Sequence, residues 1–123
     1  MKIGEVAKQA GIATSTLRYY EQIGLLPAPQ RRGGQRVYDA EIFNYLKIIK
    51  AGQRAGFSLD EIRTMIHEFS DDTPASTRWQ SLAQQKLVEL DTAIASLTAM
   101  KQHIIAGLDC RCATFDDCAL MLE

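Results

Sequence analysis

Residues 3–26, IGEVAKQAGIATSTLRYYEQIGLL, decide how the rest of the chain is read. Ile3, Val6, Ala7 and Ala10 recur at helical spacing and Gly11 stops the pattern, which predicts a short helix of about two turns. A second pattern starts at once: Thr14 or Ser15 can cap it, and Leu17, Tyr20, Ile23 and Gly24 follow. Two short helices separated by a tight, glycine-containing turn are a helix-turn-helix candidate.

The residues around that pair separate a DNA reader from an ordinary helix pair. Thr14, Ser15, Thr16, Arg18 and Tyr19 place hydroxyls, a guanidinium and a phenol on the second helix, the groups that reach phosphates and base edges in a major groove. A solvated helix face would carry similar residues, so the next segment matters. Arg31, Arg32 and Arg36 surround Gly33-Gly34 and lead to Val37-Tyr38. This is a tight basic hairpin from which arginine can contact phosphate or a minor groove. A helix-turn-helix followed directly by a basic wing predicts nucleic-acid binding.

Outward from this core, LLPAPQRRGGQRVY (residues 25–38) holds two of the three prolines and reads as turns and loop. Residues 39–52 form the next predicted helix, capped by Asp39, with Ile42, Leu46 and Ile49 on one face and Phe43 and Tyr45 beside them. The pattern breaks at Gly56 and restarts with Ser58 as N-cap and Glu61 three residues later, a capping box. These apolar residues are expected to complete the core of the helix-turn-helix. SDDTPAST (residues 70–77) reads as a linker that opens a helix.

From about residue 76 to residue 108 the helical pattern is unbroken. Leu87, Leu90, Ile94, Leu97, Ile104 and Leu108 alternate spacings of three and four, with Lys101 as the exception. That is a coiled-coil stripe, and it needs a partner helix. A homodimer is the simplest partner and suits DNA readers that address two half-sites, whereas folding back on its own domain is the alternative.

Composition bounds these readings. A chain of 123 residues with 46% hydrophobic content can bury one modest core. The net charge of −1 hides an asymmetry: residues 1–60 carry nine Lys/Arg against five Asp/Glu, and residues 61–123 carry five against ten. The basic end suits a polyanion. No charged region followed by an apolar run opens the chain, so no secretory signal is expected. No apolar stretch approaches the roughly 18 residues of a membrane span, so a soluble, cytoplasmic protein without a membrane partner is expected. Three cysteines, an odd number without an export signal, argue for reduced thiols rather than a disulfide framework.

The order of these parts resembles the MerR family of bacterial transcription regulators over essentially the whole chain. The most specific matches are Leu17-Arg18-Tyr19-Tyr20-Glu21, Gly24-Leu25-Leu26, Arg36 before Tyr38, and Gly56-Phe57-Ser58-Leu59. The resemblance implies a mainly all-α fold. It has a winged helix-turn-helix DNA-binding domain with a small β wing over 1–70, a dimerisation helix over 76–108 and an effector loop over 109–123. It further implies a homodimer joined by an antiparallel coiled coil on a pseudo-palindromic promoter operator. The effector-bound dimer distorts that double-stranded DNA so that RNA polymerase can engage it. Carried over by position, Thr14, Ser15, Thr16, Arg18, Tyr19 and Tyr20 would face the groove and backbone. Arg31, Arg36 and Tyr38 would hold phosphates from the wing. The spacing of Tyr20 from Leu17 also allows an inward position.

The effector is read from CRCATFDDC (residues 110–118), which holds every cysteine of the chain. Thiolates are soft ligands for copper(I), silver(I) and gold(I), and for zinc, cadmium, mercury, lead and iron–sulfur clusters. Three in one short loop can converge on an ion at low closure entropy. Inert cysteines would be scattered rather than clustered. Cys110 and Cys118 look like the two-cysteine loop of the family's copper-type sensors, which have no counterpart to Cys112. Divalent-metal sensors in the family add a cysteine at the start of the dimer helix. Here Ala75-Ser76-Thr77 offers hydroxyls, with Ser76 as the best match.

Cys110-x-Cys112-x5-Cys118 is also similar to the last three ligands of the SoxR-type [2Fe-2S] redox sensor, with Gly107 where the first would fall and His103 one turn earlier. Three thiolates leave one net negative charge around a divalent ion and two around a monovalent one, which Arg111 could partly offset. Asp109, Asp116 and Asp117 read as loop-capping or solvated, and His67 and His103 as surface or packing residues.

With the sequence running to Glu123, the drug-sensing branch, which needs a further ligand domain, is not expected. A thiol redox enzyme is disfavoured by the missing strand-rich scaffold and Cys-x-x-Cys helix start. The expected function is a metal-responsive, DNA-binding transcriptional activator that is not an enzyme, with the redox-cluster regulator as the alternative.

Overall fold

The computed structural model describes residues 1–118. Helix α1 (Ile3–Ala10) ends where Gly11 turns left-handed and its amide donates back to the carbonyls of Ala7 and Lys8. Helix α2 (Thr14–Gln22) follows after one tight turn. Neither Thr14 nor Ser15 caps it. The cap position falls to Ala13, whose extended backbone presents its carbonyl to the amides of Thr16 and Leu17. Both hydroxyl residues therefore lie within the first turn of the helix.

Strands β1 (Gln30–Arg32) and β2 (Gln35–Val37) form the antiparallel wing, with Arg31 opposite Arg36. Its two-residue turn, Gly33-Gly34, has φ of 58° and 80°, the pair of positive angles a tight hairpin of right-handed twist demands. The chain start is stapled to the wing: the Tyr38 amide donates to the Met1 carbonyl at 2.7 Å and the Met1 amino group donates to the Tyr38 carbonyl at 2.6 Å.

Helix α3 (Ile42–Arg54) starts later than the sequence suggests. The Asp39 carboxylate accepts from the Glu41 amide at 3.0 Å, which makes a turn before the helix rather than a helix cap. Helix α4 (Leu59–Arg63) carries the expected capping box, in which Ser58 Oγ accepts from the Glu61 amide and Glu61 Oε1 accepts from the Ser58 amide. It runs on into a π-helical turn, Thr64–Glu68.

Val6, Leu17, Leu25, Ile49 and Ile62 are fully enclosed, and Leu26, Tyr38, Ile42, Phe57 and Leu82 pack around them. Each such side chain contributes on the order of 1.5–3 kcal/mol by leaving water. Gly52 of α3 permits the close approach of α4: a Cβ there would stand 2.8 Å from two atoms of the Ile62 side chain.

Helix α5 (Ala75–Gly107) is 33 residues long. The chain divides into two compact units, Met1–Leu82 and the remainder from Ala83, so the division falls inside α5 and not in the preceding linker. The cause is the packing of the helix start. Leu82 is buried, and Trp79 meets Phe57 with ring centroids 5.2 Å apart. Arg78 donates to the carbonyls of Met65, Ile66, Ser70 and Thr73 while its guanidinium lies 5.8 Å from the Phe69 ring centre. In the second unit, Leu87, Leu90, Ile94, Leu97, Ile104 and Leu108 are 44–70% exposed. Among the described residues no helix is long and apolar enough to cross a membrane.

Candidate DNA interface and metal-binding loop

The first unit brings the second helix and the wing together through one carboxylate. Glu21, at the end of α2, accepts from Arg36 Nε at 2.9 Å and from the Tyr38 hydroxyl. Its side chain is 10% exposed, so these are partly desolvated, charge-assisted bonds. Ser15, Arg18 and Tyr19 lie exposed on α2, while Thr14, Thr16 and Tyr20 are half-buried. Arg31 and Arg32 are exposed on the wing, and Arg31 Nη1 donates to the Gly34 carbonyl across the turn.

Tyr38, expected on the wing as a phosphate holder, stands at the end of the wing with its side chain turned inward. It is only 5% exposed and its hydroxyl is committed to Glu21, so it is part of the core. Arg36 is half-buried and has one nitrogen committed to the same carboxylate. Tyr20 packs against the core, as its spacing from Leu17 allowed.

A cleft joins Lys2 and Glu5 at the chain start to Arg18 of α2 and Gly34 and Arg36 of the wing. The sequence reading missed Lys2, which shares this cleft, and the part played by Glu21. The signal for Glu21 was its spacing: it stands four residues after the core residue Leu17, in an otherwise basic segment.

In the second unit α5 ends at Gly107, whose carbonyl accepts from the Cys110 amide at 3.2 Å. The loop that follows closes with a 3-10 turn, Phe115–Asp117, held by a Thr114 hydroxyl bond to the Asp117 carboxylate at 3.2 Å. The sulfurs of Cys110, Cys112 and Cys118 all lie within 4.8 Å of one another. Cys110 Sγ and Cys112 Sγ are 2.8 Å apart, and the Cys112 amide donates to Cys110 Sγ at 3.4 Å. The hydrogen bonds with the Cys112 thiol and then with the Cys112 amide hold the Cys110 thiol below its ordinary range against the opposing effect of desolvation, with a lesser lowering from the Cys118 thiol. Cys110 and Cys112 are exposed and Cys118 is half-buried.

Sulfurs bonded at about 2.3 Å to one ion stand about 4.0 Å apart in a trigonal plane and about 4.6 Å apart in a linear pair. Cys110 Sγ and Cys112 Sγ stand closer than either, and all three sulfurs converge within 4.8 Å, so the loop offers a group of soft donors to a thiophilic ion. A four-cysteine iron–sulfur complement is not assembled by the described residues: Gly107 has no ligand atom and His103 is not in the cluster. Ser76 is exposed in the first turn of α5.

A winged helix-turn-helix, with a basic surface and a long helix bearing an uncovered apolar stripe, defines a DNA-binding regulator. The chain belongs to the MerR family. Residues 1–68 match the family model described as MerR HTH family regulatory protein, and residues 43–106 the one described as MerR, DNA binding. It is 34% identical to the HTH-type transcriptional regulator HmrR of Rhizobium leguminosarum bv. viciae, over 100% of this chain and 96% of that protein. It is 29% identical to the HTH-type transcriptional regulator CueR of Salmonella typhi, over 86% of this chain and 78% of that one. Among solved structures it is similar to the transcription regulator PbrR691 from Ralstonia metallidurans CH34 in complex with lead(II). The TM-score is 0.79 and the identity 27%, over 99% of this chain and 97% of that one.

Proposed function

We propose that this chain is a metal-responsive transcription regulator that binds a pseudo-palindromic promoter operator as a homodimer and activates RNA polymerase by distorting the DNA. The observation that carries the proposal is the convergence of three thiols within 4.8 Å in the loop that follows α5, with no other ligand type in the group. The similarity to CueR and to a regulator crystallised with lead(II) supports the same reading.

In this reading Ser15, Arg18 and Tyr19 read the groove and its edges, with Thr14, Thr16 and Tyr20 set deeper on the same helix. Arg31 and Arg36 hold phosphates from the wing, and Glu21 fixes the wing against α2. The exposed stripe of α5 is the seam between two copies, arranged antiparallel. A thiophilic ion supplies simultaneous bonds to Cys110, Cys112 and Cys118, with copper(I), silver(I), gold(I), mercury, lead, zinc and cadmium as the range of effectors. Ser76 of the other copy stands as a supporting hydroxyl beside that loop. The loop continues directly from α5, so fixing its conformation fixes the end of the helix that spaces the two readers.

Anaerobic promoter transcription with the reduced protein tests this. Added thiophilic ions should raise transcription from the bound operator, and a variant with all three cysteines changed to serine should bind the operator but no longer respond. Metal-independent transcription by the wild type would refute the proposal.

A further inference from the structure

We infer that Cys110 and Cys112 form an oxidation site: hydrogen peroxide converts the pair to a disulfide within one chain, and the three-thiol group is lost until that bond is reduced. The oxidation stands on the geometry of the pair alone. Its consequence for ion binding rests on the reading of the loop as metal-binding.

The positions of the sulfurs carry it. Cys110 Sγ and Cys112 Sγ are 2.8 Å apart, and a disulfide bond is about 2.0 Å long, so the two join after an approach of less than about 1 Å. Both side chains are exposed to a dissolved oxidant, whereas Cys118, within 4.8 Å of each, is half-buried.

The hydrogen bonds assign the roles. The Cys112 amide donates to Cys110 Sγ at 3.4 Å, and Arg111 brings a cation next to it in the chain. Both stabilise the charge that sulfur carries when it attacks, which makes Cys110 the nucleophile. The Cys112 thiol donates to the Asp117 carbonyl at 3.5 Å, so it holds its proton and resolves the first product. An exposed nucleophilic cysteine poised beside a second thiol is the arrangement by which thiols sense oxidants.

The step balances with peroxide as the oxidant. Cys110 Sγ attacks one peroxide oxygen: an S–O bond forms, the O–O bond breaks, and the departing hydroxide leaves as water with the Cys110 proton. Cys112 Sγ then attacks the sulfenic sulfur: the S–S bond forms, the S–O bond breaks, and hydroxide leaves as a second water with the Cys112 proton. The thiols give up two electrons and the peroxide takes them.

The bridge disables the loop in two ways. Its sulfurs are no longer thiolates, the form that binds metal. It also removes the thiol that meets the Asp117 carbonyl at the end of the Phe115–Asp117 turn, and Cys118, which follows that turn directly, is left as a single thiol. A bridge across one intervening residue is tight and exposed, the kind of disulfide that is readily reduced, so the change is reversible.

The test treats the reduced, metal-free protein with hydrogen peroxide and counts free thiols with a chromogenic disulfide. Two of the three thiols should disappear faster than those of free glutathione, the mass should fall by two hydrogens, and peptide mapping should find the bridge between Cys110 and Cys112. Dithiothreitol should restore all three. Cys112→Ser should leave Cys110 as a sulfenic acid captured by dimedone, Cys110→Ser should form no bridge, and Cys118→Ser should form it as the wild type does. Lead(II) and copper(I), titrated by absorbance, should bind the reduced protein and not the oxidised one.

A bridge that includes Cys118 or links two chains, oxidation no faster than that of glutathione, or no dimedone adduct on Cys110 in Cys112→Ser would overturn the inference. Undiminished ion binding by the bridged protein would overturn its regulatory consequence. If the bridge forms as described but the reduced protein binds neither ion, the metal-sensing reading fails and the oxidation site stands.

Discussion

Glu21 accepts from Arg36 and Tyr38 at once, and so ties the end of α2 to the wing. Tyr38→Phe removes a bond to a charged acceptor and should destabilise the first unit by about 1.5–3 kcal/mol, measured by urea unfolding. Arg18 is exposed, lines the cleft and, among the described residues, makes no such internal bond. Arg18→Ala should weaken operator binding and lower the slope of log affinity against log salt by about 1, with the unfolding midpoint unchanged. At this scale the sequence revealed which residues bear charge but not where the charge is spent. That Arg36 and Tyr38 converge on a carboxylate fifteen and seventeen positions earlier shows only in the folded wing. The cysteines were legible because their convergence is local.

At the scale of elements, periodicity and capping located the helices, and the capping box at Ser58 and Glu61 is formed as its spacing foretold. At the starts of α2 and α3 the candidate cap residues were present, but the cap position falls one or two residues away from them. The π-helical turn at Thr64–Glu68 and the role of Arg78 were not legible. Arg78 finds its carbonyl partners, two of them in that turn, only when the linker has folded. Gly52 is a similar case. In a sequence it looks like a helix-weakening residue, yet its missing side chain is what admits Ile62, which is itself fully buried and has no room to retreat. Gly52→Ala should therefore destabilise by about 1–3 kcal/mol through overpacking, despite alanine's better helix propensity, and thermal unfolding will read the sign.

For the whole molecule, the uncovered stripe of α5 decides the assembly. Leu97 is 63% exposed at the middle of that stripe. Leu97→Asp should convert the dimer to monomer in sedimentation and reduce operator affinity sharply, because each monomer then holds a single half-site. The isolated first unit keeps its own core, so its melting should move far less than the affinity does.

The spacing of the three sulfurs has one more consequence. Every thiol of the loop comes from nine consecutive residues, so the chemistry that recognises an ion is written as one continuous word rather than assembled from distant parts of the fold. Such a segment is portable. Exchanging those nine positions between regulators, while leaving the reader and the seam untouched, is a short mutational path by which one promoter switch could be retuned to a different element.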